Sequence, residues 1–243
     1  MPHSVSRRIA SRLLHASLLA LAGTSSLSAT SLTLDIDPTR ELNLYIKANG
    51  VEEYTTAGVL LITVDAAYQR VALCVDYFTP IDIGINYTTT FPTVNSINNG
   101  MRVAWLIENA LAGATTQISG AALQLAIWEI VHDNGAGYLT NTEFSQGTIQ
   151  APTTVGNQWS AALLTAAHNY VVSAMGVGHT SQNAWVYVNF DPGLGQNVQT
   201  LMSPVYPTGA PAPEASSLLL VISGAAFLAR NRRAISSRLA SAE

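Results

Sequence analysis

Between Ala121 and Val131 only Gln124 and Glu129 are polar, and this apolar stretch limits the fold more than any other feature of the chain. Read as a helix, the segment runs from Ile118 to His132 and closes at Asp133-Asn134-Gly135, a strong turn signal. At about 100° per residue, Glu129 lies about 140° round the axis from Gln124, so Glu129 can face water while Gln124 faces the core. Ala121, Leu125 and Trp128 are the neighbours of Gln124 on that face. A carboxamide placed there must find hydrogen-bond partners or it costs about 1–3 kcal/mol. Bonding to loop backbone would meet that need, and so would a place in a reactive site.

Two more helical stretches are expected. Gly100 to Leu111 carries Val103, Ile107 and Ala110 at helical spacing, widened by Trp105 and Leu106. A third runs from about Gln158 to Ala174, with Leu163, Leu164, Ala167, Tyr170 and Val171 on one face, and Gly176 and Gly178 end it. From Leu32 to Phe91 the pattern is strand-like. Val59 to Val64 reads as a strand buried on both faces. After a turn at Asp65-Ala66-Ala67, a second strand is expected from Tyr68 to Phe78. It sets Val71, Leu73, Val75 and Tyr77 on one face and Ala72, Cys74 and Asp76 on the other, with Cys74 in mid-strand. Asp82 to Asn99 reads as loop, and Ala184 to Phe190 returns to strand alternation. The expected fold is α+β, a β-sandwich or barrel-like sheet with an inserted helical subdomain.

Cys74 is the only cysteine, so the chain can form no intrachain disulfide and no cysteine zinc cluster. The five histidines lack metal-ligand spacing, and neither a metal nor a cofactor is implied. Charged residues make up 11% of the chain, and Lys47 is the single lysine. Too few cations lie in the middle of the chain for a nucleic-acid-binding patch. No apolar run reaches about 18 residues, which excludes a polytopic membrane protein. Residues 31–211 are acidic, with Arg40, Lys47, Arg70 and Arg102 as their only lysines and arginines.

One sulfur and one core-facing carboxamide suggest a specific reaction. A thiolate held against a glutamine side chain can attack its carbonyl carbon and expel ammonia, leaving a thioester. Amides are poor acyl donors, so the two groups must be held at near-attack distance in a dry pocket. Low lysine content suits such a bond, because lysine amines would compete with an external nucleophile. The plainer alternative makes Cys74 core filler and Gln124 a satisfied packing residue.

The two ends read as addresses. Residues 1–30 fit a secretory signal peptide: Arg7, Arg8 and Arg12, an apolar run from Leu13 to Ala22, then small residues from Gly23 to Ala29. At the other end Pro204, Pro207, Pro211 and Pro213 mark a linker over 204–214. Residues 215–233 follow as a single short transmembrane helix: Ala215 to Ala229 is uncharged, and Arg230, Arg232 and Arg233 close it before a tail at 234–243. Pro213-Glu214, the short apolar helix and the arginine cluster resemble a PEP-CTERM sorting signal, with Ala215 where that motif has its second proline. The resemblance implies a Gram-negative source, passage through the inner membrane and an exosortase as processing partner.

The middle of the chain, residues 31–203, is expected to be one domain, and most of it, roughly residues 55–190, resembles the bacterial thioester domains of surface adhesins. Leu73-Cys74-Val75 and Gln124-Leu125-Ala126-Ile127-Trp128 carry the resemblance, with Leu123 where the best-known members have threonine. What it implies is a surface protein whose Cys74–Gln124 thioester is opened by an amine or hydroxyl of a surface or matrix ligand. That is a single-use acyl transfer and not enzymatic turnover. Trp128 would then pack beside the bond, and His132, about 80° round the helix from Gln124, could assist proton transfer or else cap the helix end. Two other functions compete: a noncovalent structural protein of the exopolysaccharide or biofilm matrix, and a cysteine hydrolase or transferase using Cys74 with His132 or His168 as base.

Overall fold

A computed structural model describes residues 30–154 and 156–205. Strands β1 (Thr30–Ala48) and β2 (Val51–Val64) form a long hairpin. It turns at Asn49 and Gly50, both at positive φ, the backbone that a two-residue hairpin needs. Strand β3 (Tyr68–Cys74) folds back along β2 through the expected turn, where Asp65 accepts the Ser31 N–H at 2.9 Å. The remaining strands are β4 (Asn86–Thr90), β5 (Ile149–Gln150), β6 (Ala184–Asp191), β7 (Gln196–Asn197) and β8 (Leu201–Pro204). The hydrogen-bonded path β2-β3-β8-β6-β4-β1 returns to β2, so the sheet closes on itself, as in the barrel alternative.

Helices α1 (Gly100–Ala110), α2 (Gln117–Asp133) and α3 (Ala161–Met175) are inserted between β4 and β6. A capping box at Thr116 and Ser119 starts α2, and Asn134 in the left-handed region ends it. Helix α2 lies against β1 and β2 on one side and α3 on the other. Its approach to β1 is close: a Cβ on Gly120 would overlap the Arg40 carbonyl.

Several expectations need correction. Glu129 does not face water; it is fully buried, because α3 and the loop carrying Glu143 cover the outer side of α2. Cys74 is the last residue of β3, not a mid-strand position. Although the Val75 N–H still reaches Thr200, Asp76 then accepts the Phe78 N–H at 3.1 Å and the Thr79 hydroxyl, which turns the chain out of the sheet. The segment read as loop contains β4, with Tyr87 and Thr89 buried on its inner face. Helix α3 begins at Ala161, later than expected, where the Ser160 hydroxyl accepts the Leu163 N–H.

The boundaries of the folded part also shift slightly. Thr30 pairs with Thr89 and Pro204 with Ala184, so the sheet takes in one residue of the expected signal peptide and one of the linker. The rest of the signal peptide, the linker beyond Val205 and the sorting segment with Pro213, Glu214, Arg230, Arg232 and Arg233 lie outside the described residues. Among the described residues no helix is long and apolar enough to cross a membrane.

Candidate functional site

The site arises where two strands part. Strands β2 and β3 pair from Val64 and Tyr68 to Leu60 and Ala72 and no farther. Two residues on, Gly58 of β2 pairs with Glu41 of β1, across an irregularity in β1 between Ile36 and Glu41. One edge of Cys74 is therefore left without a strand, while β8 pairs with its other edge through Leu201.

Gln124 fills the gap from α2. Its Oε1 accepts the Cys74 N–H at 2.9 Å, and its Nε2 donates to the Cys74 carbonyl at 2.6 Å. The carboxamide thus stands in for the missing strand, and it is satisfied at both ends while only 1% exposed. Backbone N–H and C=O groups that lose a ladder partner must be bonded elsewhere, and here a side chain does it. Cys74 and Gln124, 50 positions apart in sequence, are in direct contact.

The sulfur has its own partner. Cys74 Sγ donates to Gln199 Oε1 at 3.0 Å, and Gln199 Nε2 donates to the Asp76 carbonyl at 2.6 Å. Behind Gln199 the network continues: Asn189 Nδ2 donates to the Gln199 carbonyl at 2.9 Å, and the Thr89 hydroxyl donates to Asn189 Oδ1 at 2.7 Å. Burial pushes the Cys74 thiol well up, and the charges of Glu41 and Asp76 add to the shift. At neutral pH the group is a thiol, and any attack by sulfur needs the proton removed within the site.

A cavity of about 580 Å³ opens beside these groups, with Cys74, Gln124, Gln199, Glu41, Trp128 and Tyr77 in its wall. Ile36, Tyr54, Phe78 and Ile83 also line it and remain exposed, which gives the mouth an apolar rim. Trp128 is 2% exposed and meets the Tyr77 ring edge-on at 4.8 Å. It lines the same cavity as Cys74 and Gln124.

The histidines are placed differently. His132 does not line the cavity; its Nε2 accepts the Tyr77 N–H at 3.3 Å and its ring meets Phe78 edge-on. Burial lowers its pKa, against the opposing pull of Asp76 and Asp133. His168 is bonded to Glu143 at 2.6 Å and is likewise absent from the cavity wall. Among the described residues no three His, Cys, Asp or Glu side chains are grouped so as to hold a metal.

Sequence reasoning missed Gln199 and Glu41. Gln199 sits in the mostly polar stretch Gln196-Asn197-Val198-Gln199-Thr200, so nothing in its local sequence marked it as buried. Glu41 gave none, because its burial depends on the break in β1 and on its pairing with Gly58.

Comparison with known proteins gives limited likeness. No protein-family model matches the chain, and no characterised protein matches it by sequence. Two solved structures from Streptococcus pyogenes are similar to it. One is the N-terminal domain of the pilus tip adhesin Cpa, at 11% identity and a TM-score of 0.37, covering 71% of this chain and 96% of that one. The other is the N-terminal thioester domain of the fibronectin-binding protein SfbI, at 10% identity and a TM-score of 0.38, covering 71% and 97%. At that overlap a functional reading has to rest on the site's own geometry.

Proposed function

We propose that the protein is an exported surface or matrix protein that binds a partner covalently through a Cys74–Gln124 thioester. The observation that carries this reading is the clamp on the carboxamide. The Cys74 N–H already donates to Gln124 Oε1, the atom that becomes an oxyanion when sulfur adds to the carbonyl carbon. Donors aimed in advance at developing charge are the usual means of stabilising such an intermediate. Attack by Cys74 sulfur forms the C–S bond, the C–N bond breaks, and Gln124 leaves its nitrogen as ammonia. An amine or hydroxyl of a surface or matrix ligand entering from the cavity then forms an amide or ester with Gln124 and frees the Cys74 thiol. Each molecule reacts once, so the protein is a reagent and not a turnover enzyme. Export through the inner membrane, and exosortase handling of the Pro213-Glu214 signal, would deliver it to the cell surface or extracellular matrix.

The noncovalent matrix reading is favoured by one observation: the thiol and the oxygen and nitrogen of both glutamine amides each have a hydrogen-bond partner without any cross-link. Intact mass separates the two readings. The covalent reading expects the full chain, purified without amines, to lie about 17 Da below its sequence mass and to gain about 31 Da with methylamine. Cys74→Ala should show neither change. A full sequence mass with a freely titrating thiol would leave the noncovalent reading in place.

A further inference from the structure

We propose that Glu41 is the proton carrier of the Cys74–Gln124 site, taking the thiol proton as the thioester forms and returning a proton to sulfur when a nucleophile opens it. This inference rests on the thioester reading. It starts from a mismatch: the thiol must lose a proton and the departing amide nitrogen must gain one, yet neither His132 nor His168 lines the cavity.

Glu41 does line it, together with Cys74 and Gln124. The residue is 8% exposed, and its Oε1 has no hydrogen-bond partner. A buried carboxyl oxygen left unbonded is costly, and in a native fold it calls for a reason. The local chain is built to accommodate it. The break in β1 after Ile36 brings Glu41 opposite Gly58, where a Cβ would lie 2.8 Å from Glu41 Cγ and 2.6 Å from its Cα. Asp37 and Arg40 are ion-paired within the break, so Arg40, the nearest cation in sequence, already has a carboxylate partner.

The charged and titratable groups around Glu41 are Asp35, Asp37 and Arg40 on its own strand, Cys74 and Asp76 from the β3 side, and Glu53 and Tyr77 elsewhere in the cavity wall. Tyr77 donates to Glu53 at 2.9 Å, which leaves Glu53 engaged. Burial raises the Glu41 pKa, Asp37 and Asp35 add to the rise, and the Asp37 backbone N–H opposes it. A carboxyl raised in this way exchanges protons nearer neutral pH than an ordinary glutamate.

The proton balance closes. Carboxylate Glu41 takes the Cys74 proton, sulfur adds to the Gln124 carbonyl carbon, and Glu41 gives the proton to the nitrogen as the C–N bond breaks and ammonia leaves. In the second stage Glu41 takes a proton from the attacking amine, the C–S bond breaks, and the proton passes to the thiolate. Glu41 ends each stage as a carboxylate.

The test uses the full chain and its Glu41→Gln and Glu41→Asp variants, with methylamine as probe. Intact mass gives the extent of thioester, and thiol titration gives the rate of opening per free amine across pH. In wild type that rate should rise with pH through one inflection above the usual glutamate range. Glu41→Gln should lose the inflection and slow both stages by about 100-fold or more. Glu41→Asp should recover part of the rate with the inflection displaced, and it serves alone if Glu41→Gln does not fold. Variants matching wild type in rate and pH profile would overturn the role of Glu41 while the thioester stands. A wild type at full sequence mass would overturn both.

Discussion

Replacing Gln124 with methionine keeps length and bulk but removes the carboxamide, and the structure fixes what that should cost. The Cys74 N–H and C=O each lose their partner, at 2.9 and 2.6 Å, in a place where β2 has already left. An unsatisfied buried backbone group costs about 1–3 kcal/mol. Water entering from the adjoining cavity will recover part of that, so the expected loss is about 2–4 kcal/mol. For a domain of this size the Tm should fall by about 5–15 °C. The measurement belongs in a Cys74→Ala background, where no cross-link can contribute, by urea unfolding of each pair of proteins. Gln124→Glu extends the test. A protonated carboxyl can still donate to the Cys74 carbonyl, whereas a carboxylate cannot, so the folded state should raise its pKa. Its stability should therefore be full at low pH and be lost as pH rises through that raised value. If Gln124→Met unfolds within about 0.5 kcal/mol of its parent, the carboxamide is not acting as the missing strand.

Two further perturbations follow from the helix that carries Gln124. Gly120→Ala would overlap the Arg40 carbonyl and lie 2.9 Å from its carbon, forcing α2 away from β1. We expect a loss of about 1–3 kcal/mol and a smaller fraction of molecules with the 17 Da deficit, read by calorimetry and intact mass; unchanged values would refute the close packing. Glu129 is pushed up to about 9 by burial, then by Asp133 and Glu143. The folded state thus holds a proton that the unfolded chain releases, and stability should decline as pH rises from the ordinary glutamate range towards 9. Glu129→Gln should flatten the Tm profile and exceed wild type above neutral pH, and an unaltered slope would count against the assignment.

The helices were legible in the sequence because their signals are local: the apolar period of α1 and α2, and the Asp133-Asn134-Gly135 stop. The Cys74–Gln124 pairing was legible only when residue chemistry was joined to the resemblance carried by Leu73-Cys74-Val75 and Gln124-Leu125-Ala126-Ile127-Trp128, since a single sulfur and a buried amide have plainer uses in a core. The strand ends were harder. Asn86-Tyr87-Thr88-Thr89-Thr90 is too polar to stand out, and only its pairing with β1 and β6 makes it a strand. Glu129 misled because helical angles describe one helix alone, and α3 covers the side that would otherwise meet water. Glu41 and Gln199 reach the site through the splitting of β2 from β3 and the return of β8, both long-range events.

The position of β8 also governs how the domain would respond to being pulled. Tension transmitted along the chain beyond Val205 enters at the far end of that strand. It would first break the Val205–Asn183 bond, then the pairs of Pro204 with Ala184 and Ser203 with Trp185. Met202 and its partners Leu73 and Val186 come next. The rung joining Leu201 to Cys74 parts after these, and Gln199, which holds the sulfur, lies farther still from the pulled end. The strand peels towards the reactive pair, so moderate mechanical strain is spent on the outer rungs while Cys74 and Gln124 keep their alignment.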